Sequence, residues 1–517
     1  MSKKSLVLNI VLHNPYIRHL DENNISKNSV LFSSISDIYL PLLNMFADLE
    51  CEGIPFKVNM VVSPVLCTML ADPVIQQQYI EWQEKIVALG ESEVAKYDEK
   101  DPKHELAVRY LKQAKQNLKD FQETFNQDIL SKIKYYMNHG NVELMATAAT
   151  YSFLPHYVDM PEAIQAQIET GMQVHKSFFG IVPEGFWFPY MGYVPGLENI
   201  IRPYGFNYSI VGTHSLLFAD PMPKAGIFSP VRCENSLVFF GCDSEKNDNL
   251  KNTGVYRNPE KDIGFEADKE YLSSILGDTD SRFKTGYRYT SNDNSAYDVK
   301  AAFLQAERDA DLFIKAKAEK LSKASELMDG ADSSLVCSFD ASCFGGSWYE
   351  GVEWLSHVLR KASESDDLDL ATCSELIDNQ YNLPRISPFP GAAVGTGYGE
   401  CLLDSSNSWM IRYVRKACER MIDLAERFSD DTGLKARSLN LAAKEVLLSM
   451  EGDWPMMLHD CEMPEYAKAR FKESVAAFST VYDSLGSNCI STEWLTKMEK
   501  KHPLFDVMNY HVFSRRK

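Results

Sequence analysis

Short apolar, β-branched runs recur through the first two thirds of the chain with helical patterns between them, and this alternation limits the fold more than any other feature. The runs cover residues 5–13, 56–62, 142–146, 208–211, 237–240 and 335–339. Runs of this length and composition read as strands buried on both faces. Between the second and third, Leu106, Tyr110, Ala114, Leu118, Phe121, Phe125, Ile129 and Ile133 recur three or four residues apart. That spacing predicts one long helix over residues 105–137, ended by Gly140. Phe303, Ala306, Ala310 and Phe313 mark another helix. Strands alternating with helices build a parallel sheet, and in a chain of 517 residues a β/α barrel is expected rather than an open sheet.

From about Trp409 the strand signal fades. Ile411, Val414, Cys418, Met421, Ala425 and Phe428 repeat at spacings of three and four, and similar patterns run through 434–450 and 465–485. A Pro/Gly-rich passage, residues 386–399, joins the two halves as an irregular connection. The organisation expected is therefore a barrel over residues 1–385, with a helical insertion at about 70–138, followed by a helical domain over 386–517.

Charge narrows the partners. With 53 Lys+Arg against 72 Asp+Glu the net charge is −19, which disfavours a nucleic-acid backbone or an anionic bilayer. A neutral ligand is easier to hold. The apolar stretch after the first residues is short and broken by Asn9, so no secretion signal is expected, and no run reads as a membrane span. The cysteines are scattered, odd in number and without a Cys-x-x-Cys pair, which fits reduced thiols in a cytoplasmic protein. A zinc site from Cys337, Cys343 and a histidine lacks the usual ligand spacing, and no metal or cofactor is expected. Phosphate-loop, dinucleotide-binding and His-Glu-x-x-His motifs are absent from the sequence.

In a β/α barrel the reactive groups sit where strands end. The strand ends offer His13, Thr150-Tyr151-Ser152, the segment 185–193, His214, Asp243 and Asp340. Trp187, Phe188, Tyr190, Tyr193, Trp348, Tyr349, Trp354 and Trp454 crowd the same loops, and aromatic faces suit the apolar faces of sugar rings. The same rings could instead fill core space between barrel and helices. Asp340 is the sharpest candidate: a strand delivers one carboxylate to the barrel mouth, where it could act as a general acid or simply cap a turn. His13 and His214 could donate to a substrate or be satisfied core histidines.

Several of these segments together resemble glycoside hydrolase family 57, in its 1,4-α-glucan branching enzyme branch. They are Ile10-Val-Leu-His-Asn-Pro-Tyr-Ile-Arg-His19, Gly140-Asn-Val-Glu-Leu144 with Thr150-Tyr-Ser-Phe-Leu-Pro155, and Gly185-Phe-Trp-Phe-Pro-Tyr-Met-Gly-Tyr193. Phe339-Asp-Ala-Ser-Cys-Phe-Gly-Gly-Ser-Trp348 and Glu451-Gly-Asp-Trp-Pro-Met-Met457 complete the series. The resemblance implies an incomplete (β/α)7 TIM-like barrel with a helical insertion and a C-terminal α-helical domain. It also implies retaining transfer on α-1,4-glucans by a Glu nucleophile and an Asp acid/base.

The acid/base carries over to Asp340. The nucleophile does not, because the family's Trp-Leu-Pro-Glu is here Trp187-Phe188-Pro189-Tyr190. Other polar positions differ too: Val11, Tyr151, Ser342, Gly346 and Cys242 stand where the family carries polar or charged groups. The resemblance therefore implies a catalytically inactive, glucan-related homologue, with α-glucan or a protein as partner. His13, Tyr151, Trp187, His214, Asp243, Trp348, Asp453 and Trp454 are its expected binding residues. The alternative is an active branching enzyme or α-glucanase that uses Asp340 with a non-standard second group, Tyr190, Asp243 or Asp453 among them.

Overall fold

The structure, a computed structural model, describes residues 2–19, 27–244, 251–277, 284–487 and 489–515. Among the described residues nine strands form one sheet: β1 (Lys4–Leu12), β2 (Val58–Val62), β3 (Val142–Thr147), β4 (Gly185–Trp187), β5 (Tyr208–Val211), β6 (Val231–Arg232), β7 (Val238–Gly241), β8 (Ser333–Asp340) and β9 (Asp369–Leu370). Their order is β6-β7-β5-β4-β3-β2-β1-β8, with β9 alongside β1. All pairings are parallel except β6 with β7. The curl brings the ends of this path together, where the residue after β7 bridges to β8 at Cys242↔Val336 and the Asp243 amide donates to the Val336 carbonyl at 2.8 Å. The chain is thus an α/β protein with a TIM-like barrel and a C-terminal helical domain, as expected.

The expected strands coincide with β1, β2, β3, β5, β7 and β8. Burial explains their continuous apolar runs: every residue of β2, β5 and β7 is buried. Val7, Val11, Val61, Met145, Trp187, Ile210, Phe240 and Val336 face the barrel interior, and the opposite residues pack against the surrounding helices. The three-residue β4 lies within the segment 185–193, whose sequence reads as an aromatic loop.

Two other expectations need correction. The long helix over 105–137 is broken into Pro102–Lys119, a wider turn at Asp120–Thr124, and Ile129–Asn138. Asn126 and Gln127 take positive φ, and Asp128 then caps the new helix by accepting the Ser131 amide at 3.0 Å. The apolar period survives the break because both pieces pack on one core. The second correction concerns membrane-like segments. The helical stretch Ser29–Cys51, with mean hydropathy 1.4, is long and apolar enough to cross a bilayer, but 67% of that window is buried within the protein. Ser33, Ser34, Ser36 and Asp37 interrupt it as a sequence run.

The C-terminal helices are Ile411–Arg427, Gly433–Ser449, Asp453–His459, Pro464–Ser487 and Thr492–Lys501. Gly433–Ser449 is the central one, buried all round from Leu441 to Ser449. This domain clamps the barrel mouth by hydrogen bonds: Thr150 Oγ1 donates to the Leu447 carbonyl at 2.7 Å, the Tyr466 hydroxyl to the Tyr16 carbonyl at 2.8 Å, and Arg470 to the Arg18 carbonyl at 2.6 Å.

Candidate active site

The C-terminal ends of the strands open on a cleft of about 620 Å³. Val11, Tyr151, Trp187, Tyr190, His214, Asp243, Asp340 and Trp348 line it. Seven of the ten residues singled out from sequence therefore meet in one place. The other three sit behind the wall. Trp454 is buried at 2% exposure and its Nε1 donates to the Leu448 carbonyl at 2.8 Å, so it holds the start of its own helix. His13 and Asp453 form a second layer under Tyr190.

That second layer is closed on itself. His13 Nε2 lies 2.8 Å from Asp453 Oδ2 and its Nδ1 lies 2.8 Å from Ser63 Oγ. Its ring stacks on Tyr151 with centroids 3.9 Å apart. Trp187 Nε1 donates to the Tyr151 hydroxyl at 3.0 Å, and Tyr151 meets the Tyr190 ring edge-on at 5.1 Å. The Tyr190 hydroxyl donates weakly to Asp453 Oδ1 at 3.5 Å. Polar groups that could have addressed a ligand are thus satisfied by one another.

Position 190 is aimed by an unusual backbone. Tyr151, Tyr190 and Met191 take φ of 49°, 58° and 49°. Left-handed non-glycine residues are strained and cluster at functional sites. The Tyr190 ring keeps some exposure on its cleft side. Its phenol end is enclosed, and burial first, then the Asp453 carboxylate, pushes its pKa well above the ordinary tyrosine value. Gly452 makes room for the ring: a Cβ there would meet Tyr190 Cε2 at 2.6 Å and the Tyr151 carbonyl at 2.7 Å.

The two lining carboxylates differ. Asp340 is exposed, and its Oδ1 accepts the Ser342 amide at 2.8 Å, so it caps the turn Ala341–Cys343. The Asp243 carboxylate is buried and held by Lys317 at 3.0 Å and Lys320 at 2.8 Å, both on the helix Val299–Leu327. Its oxygens are thus directed to that helix rather than offered to the cleft. His214 is exposed at the rim. No cluster of three His, Cys, Asp or Glu able to hold a metal occurs among the described residues.

Sequence reasoning missed two parts of the wall. Ala392–Gly397 of the Pro/Gly-rich passage forms one side, tied to the site by the Ala393 amide donating to the Tyr190 carbonyl at 2.7 Å. Its density of glycines was the available signal. Cys242, Cys337 and Cys343 also line the cleft, and burial pushes the Cys242 thiol up to about 11.

A parallel β/α barrel with an aromatic-lined cleft at its strand ends, braced by a helical C-terminal domain, places the chain among the TIM-like barrel proteins with a ligand-sized cleft. The chain belongs to glycosyl hydrolase family 57. That family's model matches residues 7–386, and the model of the 1,4-alpha-glucan branching enzyme C-terminal domain matches residues 413–513. The 1,4-alpha-glucan branching enzyme TK1436 of Thermococcus kodakarensis is 27% identical over 507 residues, covering 90% of this chain and 71% of that protein. The probable branching enzyme Rv3031 of Mycobacterium tuberculosis is 24% identical over 464 residues, 85% of this chain and 84% of that one.

Among solved structures, the alpha-amylase AmyC of Thermotoga maritima aligns with a TM-score of 0.91 at 28% identity, covering all of both chains (100%). The branching enzyme of Pyrococcus horikoshii aligns at 0.89 and 22% identity over 99% and 97% of the two chains, which bears on the fold alone. The chain is accordingly a branching-enzyme-like member of the family.

Proposed function

We propose that this protein holds an α-1,4-glucan in its cleft without cleaving or transferring it. The observation that carries the reading is the chemistry at position 190. Retaining transfer needs a carboxylate that attacks the sugar and a second that donates and recovers a proton, about 5–5.5 Å apart. The resemblance gives the attacking position to Tyr190, and a phenol whose pKa is raised by burial and by Asp453 stays protonated at neutral pH. Asp340 remains at the acid/base position. Asp243, the other lining carboxylate among the described residues, is neutralised by two lysines.

What remains suits binding. The cleft wall is aromatic, with the part-exposed Tyr190 ring at its surface and the nearly buried Trp187 and Trp348 backing it, and the glucan activity named for the relatives supplies the ligand class. In this role Asp340 is a hydrogen-bond acceptor for sugar hydroxyls at the mouth.

Incubating the pure protein with amylose and counting new reducing ends and α-1,6 branches tests the catalytic half. None are expected, and turnover that Asp340→Asn abolishes would overturn the reading. For the binding half, migration should be retarded in a native gel containing glycogen, and Trp187→Ala should release it.

A further inference from the structure

The cleft does not end at a polar rim. His214 and Gly397 line its edge, and beyond them lies a row of exposed rings. Tyr398 is 53% exposed, Phe218 61% and Phe389 40%. Ring centroids step from Tyr398 to His214 at 6.5 Å, from His214 to Phe218 at 6.3 Å, and from Phe218 to Phe389 at 5.8 Å. The His214 and Phe218 planes are nearly parallel, 11° apart, and the two outer pairs are turned by 40° and 57°.

Two segments build this row and are fixed to each other. The helix Thr213–Leu217 supplies His214 and leads into Phe218, and the connector after the barrel supplies Phe389 and Tyr398. The Phe389 amide donates to the Ser215 carbonyl at 2.9 Å, and Asp220 and Ser387 exchange backbone hydrogen bonds at 3.1 and 2.8 Å. Gly397 packs against the His214 ring, where a Cβ would lie 3.4 Å from Cε1. The rings are therefore held by backbone, although their faces meet solvent.

We propose that Tyr398, His214, Phe218 and Phe389 form an outlying subsite that binds the part of an α-glucan chain emerging from the cleft. This rests on the glucan-binding reading above and extends it from the cleft to the outer surface. Three features favour a glucan over other occupants. The row is continuous with the cleft through His214. Successive ring centroids lie 6.5, 6.3 and 5.8 Å apart with turned planes, so neighbouring sugars of a curved chain can each meet a ring. The net charge of −19 and the one lysine of the stretch 213–226, Lys224, give no attraction for an anionic lipid surface or a nucleic acid.

The test compares a long and a short ligand on the full-length protein: soluble amylose, which can span cleft and row, and maltotriose, which can occupy the cleft alone. The double variant Phe218→Ala/Tyr398→Ala removes two largely exposed rings. It should weaken amylose binding about tenfold, the loss of roughly two stacking contacts, and leave maltotriose affinity unchanged. Phe218→Trp/Tyr398→Trp should restore amylose binding. Wild-type amylose affinity in the alanine variant would overturn the outlying subsite while leaving the cleft reading intact. Failure of the wild-type protein to bind either sugar would overturn the cleft reading, and this one with it. A wild-type oligomer that the alanine variant converts to monomers, by light scattering, would show that the row is a self-association surface and overturn the proposal.

Discussion

Replacing Glu451 with Gln should stabilise the protein, increasingly so as pH rises. Glu451 is 1% exposed, and its Oε1 accepts the Tyr16 amide at 2.7 Å. Burial first, then the adjacent Asp453 carboxylate, pushes its pKa well above the usual glutamate range. The folded protein therefore keeps a proton that the unfolded chain releases above pH ~4.3. A raised folded pKa gives stability that is complete below the unfolded pKa and lost as pH climbs toward the folded one. The loss is about 1.4 kcal/mol per pH unit across that window. Glutamine has the shape of the protonated acid and keeps an oxygen to accept the Tyr16 amide. It titrates nowhere, so the variant escapes the loss. Urea unfolding of both proteins at about pH 5, 6 and 7 should show the difference widening by up to that amount per unit, with unchanged m-values. A difference that stays constant with pH, or a variant less stable at about pH 7 than the parent, would refute the buried-acid argument.

His175 gives the opposite limb. It is fully buried and its pKa is pushed down to about 4 by burial, so stability is lost as pH falls from about 6.5 toward 4. The loss is about 3 kcal/mol, and His175→Leu should flatten it in urea titrations. Gly452→Ala forces a methyl against the Tyr190 ring and the Tyr151 carbonyl, and should lower unfolding free energy by about 1–3 kcal/mol. Tyr190→Glu should restore no branching on amylose, because the new carboxylate would face Asp453 and Glu451 in place of the lost polar partners. Asp340→Ala removes the acceptor for the Ser342 amide and should cost about 1 kcal/mol in thermal or urea unfolding.

Most of the barrel was legible because both faces of its strands are buried, which writes them as unbroken β-branched runs. The strand β4 was not, since Gly185–Trp187 is too short for any period, and Phe188 and Tyr193 around it are buried aromatics that read as loop. The same ambiguity affected the candidate cleft rings: Trp187, Trp348, Phe188, Tyr193 and Trp354 are all buried, but the first two border the cleft and the others do not. Hydrophobicity cannot separate these cases, because both want a ring against apolar neighbours. The His13 to Asp453 contact joins residues 440 positions apart, and the Asp243 to Lys317 pair 74 apart, so neither leaves a local pattern. The broken helix at 120–128 was hidden for a different reason: its turn interrupts the helix without disturbing the apolar spacing.

The geometry at Tyr190 explains how a strained site stays ordered. A left-handed backbone at a non-glycine residue costs about 1–2 kcal/mol, and Tyr151, Tyr190 and Met191 each incur it. Such strain persists only where the surroundings fix the conformation. Here they do so on three sides. The Ala393 amide holds the Tyr190 carbonyl at 2.7 Å, Gly452 admits the ring, and the Tyr151 ring is stacked on His13, which Asp453 and Ser63 fix in turn. The aromatic side chains contribute packing where a substrate-facing carboxylate would have needed water or a ligand. The strained turn is thus part of a hydrogen-bonded wall. The wall fixes the Tyr190 ring at the cleft surface, as the proposed glucan binding requires.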